Sequence, residues 1–475
     1  MDEASSHAAA KAAPVRAVAV SRVAPSVLRE GQCGERVKLS FLDSLWVVLP
    51  PIQRVFLYQL GEDGGSGRSD DGFPAVVERL KRALADTLAH YLPLAGTLEY
   101  VMETGDAFVD CTNAGVAFVE AEGGMDVRRL AGDEAHDTLA FLSLVPELDA
   151  RVLPAPVLSV QATRLSGGLA VGLSVHHAVA DGRAVWRFME AWSSASREGS
   201  PVTKVLGPPH YSRDVIHHPN ADELAREMLK TVAPNLPKVK KDIDMHPRSQ
   251  VRGQYDFSQR FLLARRTFYL GADEIRSLRR RIDDLASAEA GGDAPKPKPV
   301  STFVALAALS WTAFVRSKGL AAGDDTYLAF LADLRSRLDP CVSEAYLGNC
   351  VRACLASCAD AADLLGQAGI LRAARAVQAA VAEMEAAPLS GTDKGWMQKL
   401  MRLPFQRLTN VAASPRFRAY EAADFGFGKP ARVELVSMNH DGEMVLVGGR
   451  GDGEVQASVS INPAHMDAFK ACILG

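Results

Sequence analysis

The sequence predicts an α/β chain in which helices and strands alternate along its whole length. Three observations lead there. Apolar residues recur at helical spacing in some segments and at every second position in others. Hydrophobic residues make up 48% and charged residues 23% of the 475 positions, which is enough apolar material for a large core and excludes disorder of the whole chain. A polar stretch, 197–252, holds seven prolines and interrupts the pattern near mid-chain, where a boundary between two units falls.

The elements follow in chain order. Residues 1–15 read as a polar, Ala-rich tail. Residues 61–73, with five glycines and four acids, read as a surface loop. Pro74–Tyr91 carries Val76, Val77, Leu80, Leu84 and Leu88 on one helical face. Pro156–Leu165 and Gly168–Val175 read as two strands joined by Ser166-Gly167, with Leu169, Val171, Leu173 and Val175 on one side. Arg183–Trp192 returns to helical spacing, and Asp222–Val232 is a helix inside the connector. Residues 287–299 end in alternating Lys-Pro, an extended chain. Thr302–Phe314 is apolar all round, so it reads as a fully buried helix. Glu434–Val447 and Glu454–Ile461 read as late antiparallel strands.

Charge and composition exclude several function classes. Lys plus Arg is 53 and Asp plus Glu is 57, a formal charge of −4, so bulk attraction to nucleic acid is not expected. The apolar run Val304–Val315 falls short of the roughly 20 residues that cross a membrane. Met1–Pro14 lacks the apolar core of a secretory signal. Seven cysteines, an odd number, argue against a disulfide framework and for a reducing compartment. A soluble, cytoplasmic chain with no nucleic-acid or membrane partner is the expectation. Cys350, Cys354 and Cys358 are four apart without a matching His pair and read as core thiols, so no metal site is expected.

The chemistry concentrates at His176-His177-Ala178-Val179-Ala180-Asp181-Gly182, where a strand ends and a helix begins. A histidine held at such a junction is a general base near neutral pH, its ordinary pKa being about 6.5. Asp181 could orient the imidazole, cap the helix, or hold the loop through a cation. A second cluster, Asp424-Phe425-Gly426-Phe427-Gly428-Lys429-Pro430, makes a sharply turned loop. It lacks the spacing of a dinucleotide or phosphate fingerprint, and no P-loop or Rossmann motif occurs elsewhere.

Taken together, HxxxD and DFGxG make the chain resemble the BAHD family of plant CoA-dependent acyltransferases. The resemblance runs over nearly the whole chain. It includes Phe41-Leu42-Asp43, the segment from Pro50 to Tyr58, His90-Tyr91-Leu92-Pro93-Leu94-Ala95-Gly96, Asp333-Leu334-Arg335, and Tyr346-Leu347-Gly348-Asn349-Cys350. The last is similar to the YFGNC element of the branch that acylates anthocyanins and other phenolic glucosides, often with malonyl-CoA. Two positions depart from the pattern: Phe427 stands where the family has Trp, which removes an indole donor, and Leu347 stands where it has Phe.

The resemblance implies two similarly sized chloramphenicol-acetyltransferase-like α/β domains with a solvent channel between them. The division would be 1–205, a crossover 206–252, and 253–475. His177 would be the catalytic base in mid-channel, with no permanent cofactor and acyl-CoA as co-substrate. Asp181 would face away from the channel and pair with an arginine, for which Arg335 is the candidate. Asp424, Gly426, Phe427 and Gly428 would shape the architecture. Ser301 and Thr302, at a helix start, would either donate to CoA or simply cap the helix. A malonyl carboxylate needs a cation in a dry channel, and Arg183 and Arg187, one turn apart, are the candidates, unless both are solvated helix arginines. The expected enzyme is a monomer that acylates a small phenolic glucoside with malonyl-CoA. A hydroxycinnamoyl donor or an amine acceptor is the alternative.

Overall fold

Alternating apolar residues resolve into three sheets. The computed structural model describes residues 15–27, 35–60, 72–133, 136, 138–202, 206–239, 262–290, 298–358, 360–390 and 402–474. The tail, most of the loop 61–73 and most of the Lys-Pro segment lie outside the described residues.

The first sheet is built from β1 (Arg16–Val23), β3 (Ile52–Gln59), β6 (Val116–Asp126), β8 (Leu158–Ser166), β9 (Gly168–Val175) and β14 (Arg432–Glu434). Their order is β1-β6-β8-β9-β3-β14. The second sheet uses β10 (Ala264–Leu270), β11 (Thr326–Asp333), β12 (Val351–Cys358), β13 (Leu408–Ala413), β15 (Glu443–Gly448) and β16 (Val455–Ile461), ordered β10-β16-β15-β13-β11-β12. A small third sheet, β2 (Arg36–Lys38), β5 (Asp106–Asp110), β4 (Thr97–Val101) and β7 (Ala155–Pro156), stands beside the first. The molecule thus has two sheet-rich domains.

The β8–β9 hairpin forms as its sequence predicts. Gly167 takes φ +74°, a left-handed turn conformation that an L side chain resists. The predicted strand Pro156–Leu165 is divided, because Ala155 and Pro156 pair with β4 while β8 starts at Leu158. The expected strand Glu434–Val447 is also divided. Its start is β14, which pairs with β3 in the first sheet, and its end is β15 in the second. The turn-forming run Asn439-His440-Asp441-Gly442 separates the two, with Gly442 at φ +94°.

Three helices bear on the site. Gly182–Glu198 is capped by Asp181, whose carboxylate accepts from the Ala184 N–H at 2.9 Å, and it ends at Gly199 in the left-handed conformation. It runs six residues beyond the predicted end at Trp192 and buries Trp186, Phe188, Met189 and Trp192. Phe73–Leu88 packs on it. Thr302–Lys318 is buried nearly all round, as its composition predicts, beneath Gly369–Ala386 and Met466–Leu474. The connector folds one helix, Ala221–Val232, and residues 240–261 lie outside the described residues.

Two large cores result, one for each six-stranded sheet. A chain division at 253 assigns Tyr420, Phe425 and Val433 to the second half. The structure packs all three in the first core. The C-terminal part therefore reaches back across the molecule, and β14 is its strand-level anchor.

Candidate active site

β9 is a central strand of the first sheet, paired with β8 and β3, and it delivers His176 and His177 at its end. The His176 N–H donates to Val157 O at 2.7 Å and the Val179 N–H donates to His176 O at 3.1 Å, which turns the chain sharply out of the sheet. The two imidazoles then part. His176 is buried and its Nδ1 accepts from the Ala178 N–H at 3.2 Å. His177 is partly exposed and lines a cavity of about 320 Å³.

That cavity lies between the halves. Phe41, Leu42, Leu45, Trp46 and Ile52 form one wall, and Phe330, Leu331, Val351, Phe405 and Val411 form another. Polar groups gather on Asn410, Ser437, His440, Asp441 and Glu443. The His177 ring stacks on Trp46, with centroids 4.1 Å apart and planes 11° from parallel. Its Nδ1 is buried, which leaves Nε2 as the nitrogen that can serve the cavity.

Burial pushes the pKa of His177 down to about 4. The charge of Arg54 adds to that, while the residue's own backbone carbonyl, Asp181 and the Asn349 side chain pull the other way. His176 is also lowered to about 4, by burial first and by His177 second. At neutral pH both rings are therefore neutral, and His177 is in the form that accepts a proton.

Asp181 does not touch the cavity. Its carboxylate accepts from Arg335 Nη1 at 2.8 Å and Nη2 at 3.1 Å, from the Ala184 N–H, and from the Cys350 N–H at 3.0 Å. Burial alone would raise this carboxyl, but the Arg335 guanidinium outweighs it and holds the pKa below the usual carboxylate value. The pair joins the first half to the second, and both side chains are 1% exposed.

The Asp424–Gly428 loop lies at the other end of the Gly182–Glu198 helix, about 25 Å away at 1.5 Å per residue. Ser196 Oγ donates to Phe425 O at 2.7 Å, and Arg197 donates to Asp424 O. Gly426 and Gly428 take φ +92° and +101°. Phe427 meets Tyr58 edge to face at 4.8 Å and lies beneath the Arg79 guanidinium at 5.3 Å.

The other predicted contacts are placed elsewhere. Ser301 caps its helix, accepting from the Val304 N–H at 3.2 Å, and neither it nor Thr302 lines the cavity. Arg183 and Arg187 do not line it either. Arg183 is taken up by Asp333 at 3.6 Å and by Glu344, and Arg187 donates to Leu206 O. Their spacing puts them on one helix face, and their guanidinium groups are engaged outside the cavity lining. Among the described arginines, Arg352 lines the cavity, with its Nη1 donating to Ala387 O at 2.6 Å and to Ser390 Oγ at 3.2 Å.

Sequence reasoning passed over three residues here. Asp43 and Asn349, 306 positions apart, meet through two hydrogen bonds of 2.9 Å, and Asn349 Nδ2 also donates to His177 O at 2.8 Å. Arg213 closes the group on Asp43 at 2.9 Å. Asp43 and Asn349 stand inside recognisable motifs, so the motifs were the available signal. Arg213 lies in the connector and carries none.

A family model described as the transferase family matches residues 15–473. Phenolic glucoside malonyltransferase 1 of Arabidopsis thaliana is 29% identical over 470 residues, 96% of each chain. Malonyl-CoA:anthocyanidin 5-O-glucoside-6''-O-malonyltransferase of the same plant is 29% identical over 91% of this chain and 92% of its own. The crystal structure of vinorine synthase superposes with a TM-score of 0.68 at 19% identity, covering 97% of this chain and 98% of that one.

Proposed function

The chain belongs to the transferase family, the BAHD acyl-CoA-dependent acyltransferases, and from that premise we propose that it transfers a malonyl group from malonyl-CoA to a hydroxyl of a phenolic or flavonoid glucoside. The observation that carries the reading is His177: a neutral imidazole at the meeting of the two halves, stacked on Trp46, with Nδ1 buried. In the proposed step Nε2 takes the proton of the acceptor hydroxyl as the oxygen attacks the thioester carbonyl. The tetrahedral intermediate collapses, the C–S bond breaks, and the imidazolium returns the proton to the departing thiolate. No acyl-enzyme forms, and a base of this kind contributes about 10²–10⁴-fold.

The cavity suits an amphipathic acceptor. Its aromatic and aliphatic walls match an aglycone, and Asn410, Ser437, Asp441 and Glu443 match sugar hydroxyls. Arg352 is the proposed partner of the malonyl carboxylate in place of Arg183 and Arg187, and Arg352→Gln should slow malonyl-CoA turnover more than acetyl-CoA turnover. A second reading, a hydroxycinnamoyl donor, is favoured by the aromatic lining of Phe41, Trp46, Phe330 and Phe405. A reducing, cytoplasmic setting fits the six described cysteines, all free. The test is a donor-by-acceptor screen with purified protein scored by product mass. A malonyl increment on a phenolic glucoside supports the first reading, and a coumaroyl increment in its place overturns it in favour of the second.

A further inference from the structure

We propose that Glu443 and Asn410 are the residues that select a glycosylated acceptor, binding hydroxyl groups of its sugar in the cavity that His177 lines, with Ser437 as a third contact. The inference rests on the glycoside reading of the acceptor. β13 and β15 run parallel and set Asn410 directly opposite Glu443. Glu443 lines the cavity although it is only 2% exposed. Its carboxylate is fixed at both oxygens: Asn410 Nδ2 donates to Oε1 at 2.8 Å, and the His440 N–H donates to Oε2 at 3.0 Å. Among the described residues it forms no ion pair. Its charge acts on the buried Arg54, but Arg54 Nη1 donates to Gln53 O at 2.9 Å instead. A carboxylate has about four acceptor positions, and taking it out of water with two of them filled is costly. A ligand that brings hydrogen-bond donors removes that cost.

The neighbouring groups decide which donors fit. Asp441 lines the cavity too, but its Oδ2 accepts from Lys318 Nζ at 3.1 Å and its Oδ1 from the Asn462 N–H at 3.0 Å, so it is committed to holding the turn. Asn410 is different. One hydrogen of its side-chain amide, and its Oδ1, have no partner among the described residues. Ser437 Oγ accepts from the Gln53 N–H at 3.1 Å and keeps its own proton to donate. Unanswered acceptors and unanswered donors therefore line the cavity together. An ammonium or guanidinium group carries donors alone, and it would leave the Asn410 hydrogen and the Ser437 proton without acceptors. A hydroxyl donates and accepts at once, and a sugar presents several on adjacent carbons. The set fits a neutral polyol better than a cation.

Glu443→Gln tests this without dismantling the site. The Asn410 amide can turn over and offer Oδ1 to the new N–H, while the remaining oxygen keeps the His440 N–H. Calorimetric titration of 4-nitrophenyl β-glucoside and of 4-nitrophenol, into the native protein and the variant, reads the sugar contact with no acyl donor present. The native protein should bind the glucoside more tightly than the phenol. The variant should bind the glucoside about 10–100-fold more weakly than the native protein does, with the phenol unchanged. An equal loss for both ligands, or none for either, overturns the proposal and leaves the glycoside reading standing. A native protein that does not prefer the glucoside overturns both. The second measurement needs no variant: among the 2-, 3- and 4-deoxy forms of the glucoside, at least one should bind the native protein about tenfold more weakly or worse, and uniform binding overturns the proposal. Agmatine bound by the native protein and lost from Glu443→Gln would overturn it in favour of a cationic acceptor.

Discussion

The two ends of the Gly182–Glu198 helix are held by different physics. At its start, Asp181 caps the helix and accepts four hydrogen bonds, two of them from Arg335 across the domain boundary. At its end, Trp192 meets Phe425 edge to face at 4.7 Å, Ser196 donates to a backbone carbonyl, and two glycines in left-handed conformations shape the loop. Charge-assisted bonds are directional, whereas ring burial fixes proximity with little regard to direction. The directional fastening is at the end beside His177, where an angular error would misplace a base. The far end combines ring packing with bonds from Ser196 and Arg197 to two loop carbonyls, but among the described residues it has no buried ion pair.

The sharpest way to set the two ends apart is to remove the base. His177→Ala should lower kcat about 10²–10⁴-fold with unchanged circular dichroism, since the turn around it is held by backbone bonds. Activity within tenfold of native would place the base elsewhere. Asp181→Asn comes next. Breaking a buried pair by removing one charge costs about 3–5 kcal/mol, measurable by urea unfolding, and should exceed any single change in the 424–428 loop. A double variant with Arg335→Gln should recover part of the loss, because the buried guanidinium, left with Asp333 as its remaining carboxylate, is then removed.

Acid should attack the same end first. His176 and His177 both have folded pKa values lowered to about 4, against an ordinary value of about 6.5. Below pH 6.5 the unfolded chain binds protons that the fold does not, so ν_U exceeds ν_N and stability rises with pH through this window. Stability should therefore be complete above about pH 6.5 and fall as pH drops toward 4. The Asp181 contribution is lost further down, since its pKa lies below the usual carboxylate value. Replacing both histidines with Gln should flatten the upper part of the curve. An unchanged slope between pH 6.5 and 4 would remove them as its source.

Periodicity made the Phe73–Leu88 helix, the β8–β9 hairpin and the buried Thr302–Lys318 helix legible, because each is decided by neighbours a few residues away. It could not show that the strand starting at Arg432 leaves for the first sheet. Pairing with β3 depends on a partner over 370 positions earlier, and the apolar pattern of 434–447 is silent about it. The site divides in the same way. The His177 and Asp181 positions follow from a local strand-to-helix junction, and the Asp181–Arg335 pairing follows from a resemblance. Asn349 and Asp43 are joined across 306 residues, and no spacing rule reaches that far. Arg183 and Arg187 illustrate the limit from the other direction. Their spacing puts them on one face, but their partners, Asp333, Glu344 and the Leu206 carbonyl, come from elsewhere in the chain and no spacing rule supplies them.

The far end of the helix should yield smaller effects, and they should be of stability rather than rate. Gly428→Ala faces no atom within 4 Å, so the only cost is that of φ +101° for an alanine, about 1–3 kcal/mol. kcat should stay near native; a large fall would mean that backbone shape in this loop reaches the base.

The smallest expected effect is the most instructive for the comparison. Phe427→Trp enlarges a partly buried ring that already lies 4.8 Å from Tyr58 and 5.3 Å below the Arg79 charge. An indole offers a stronger face to that cation, in an interaction worth about 0.5–1 kcal/mol in all at such a site, and it adds an N–H that the loop's exposed side can leave to water. The variant should be slightly more stable than the native chain in urea, with the same kcat and KM. If kcat changed severalfold while stability did not, packing at Phe427 would be transmitted along the Gly182–Glu198 helix to Asp181. The two ends would then be one device, with the phenylalanine setting the angle at which the helix presents its charged end.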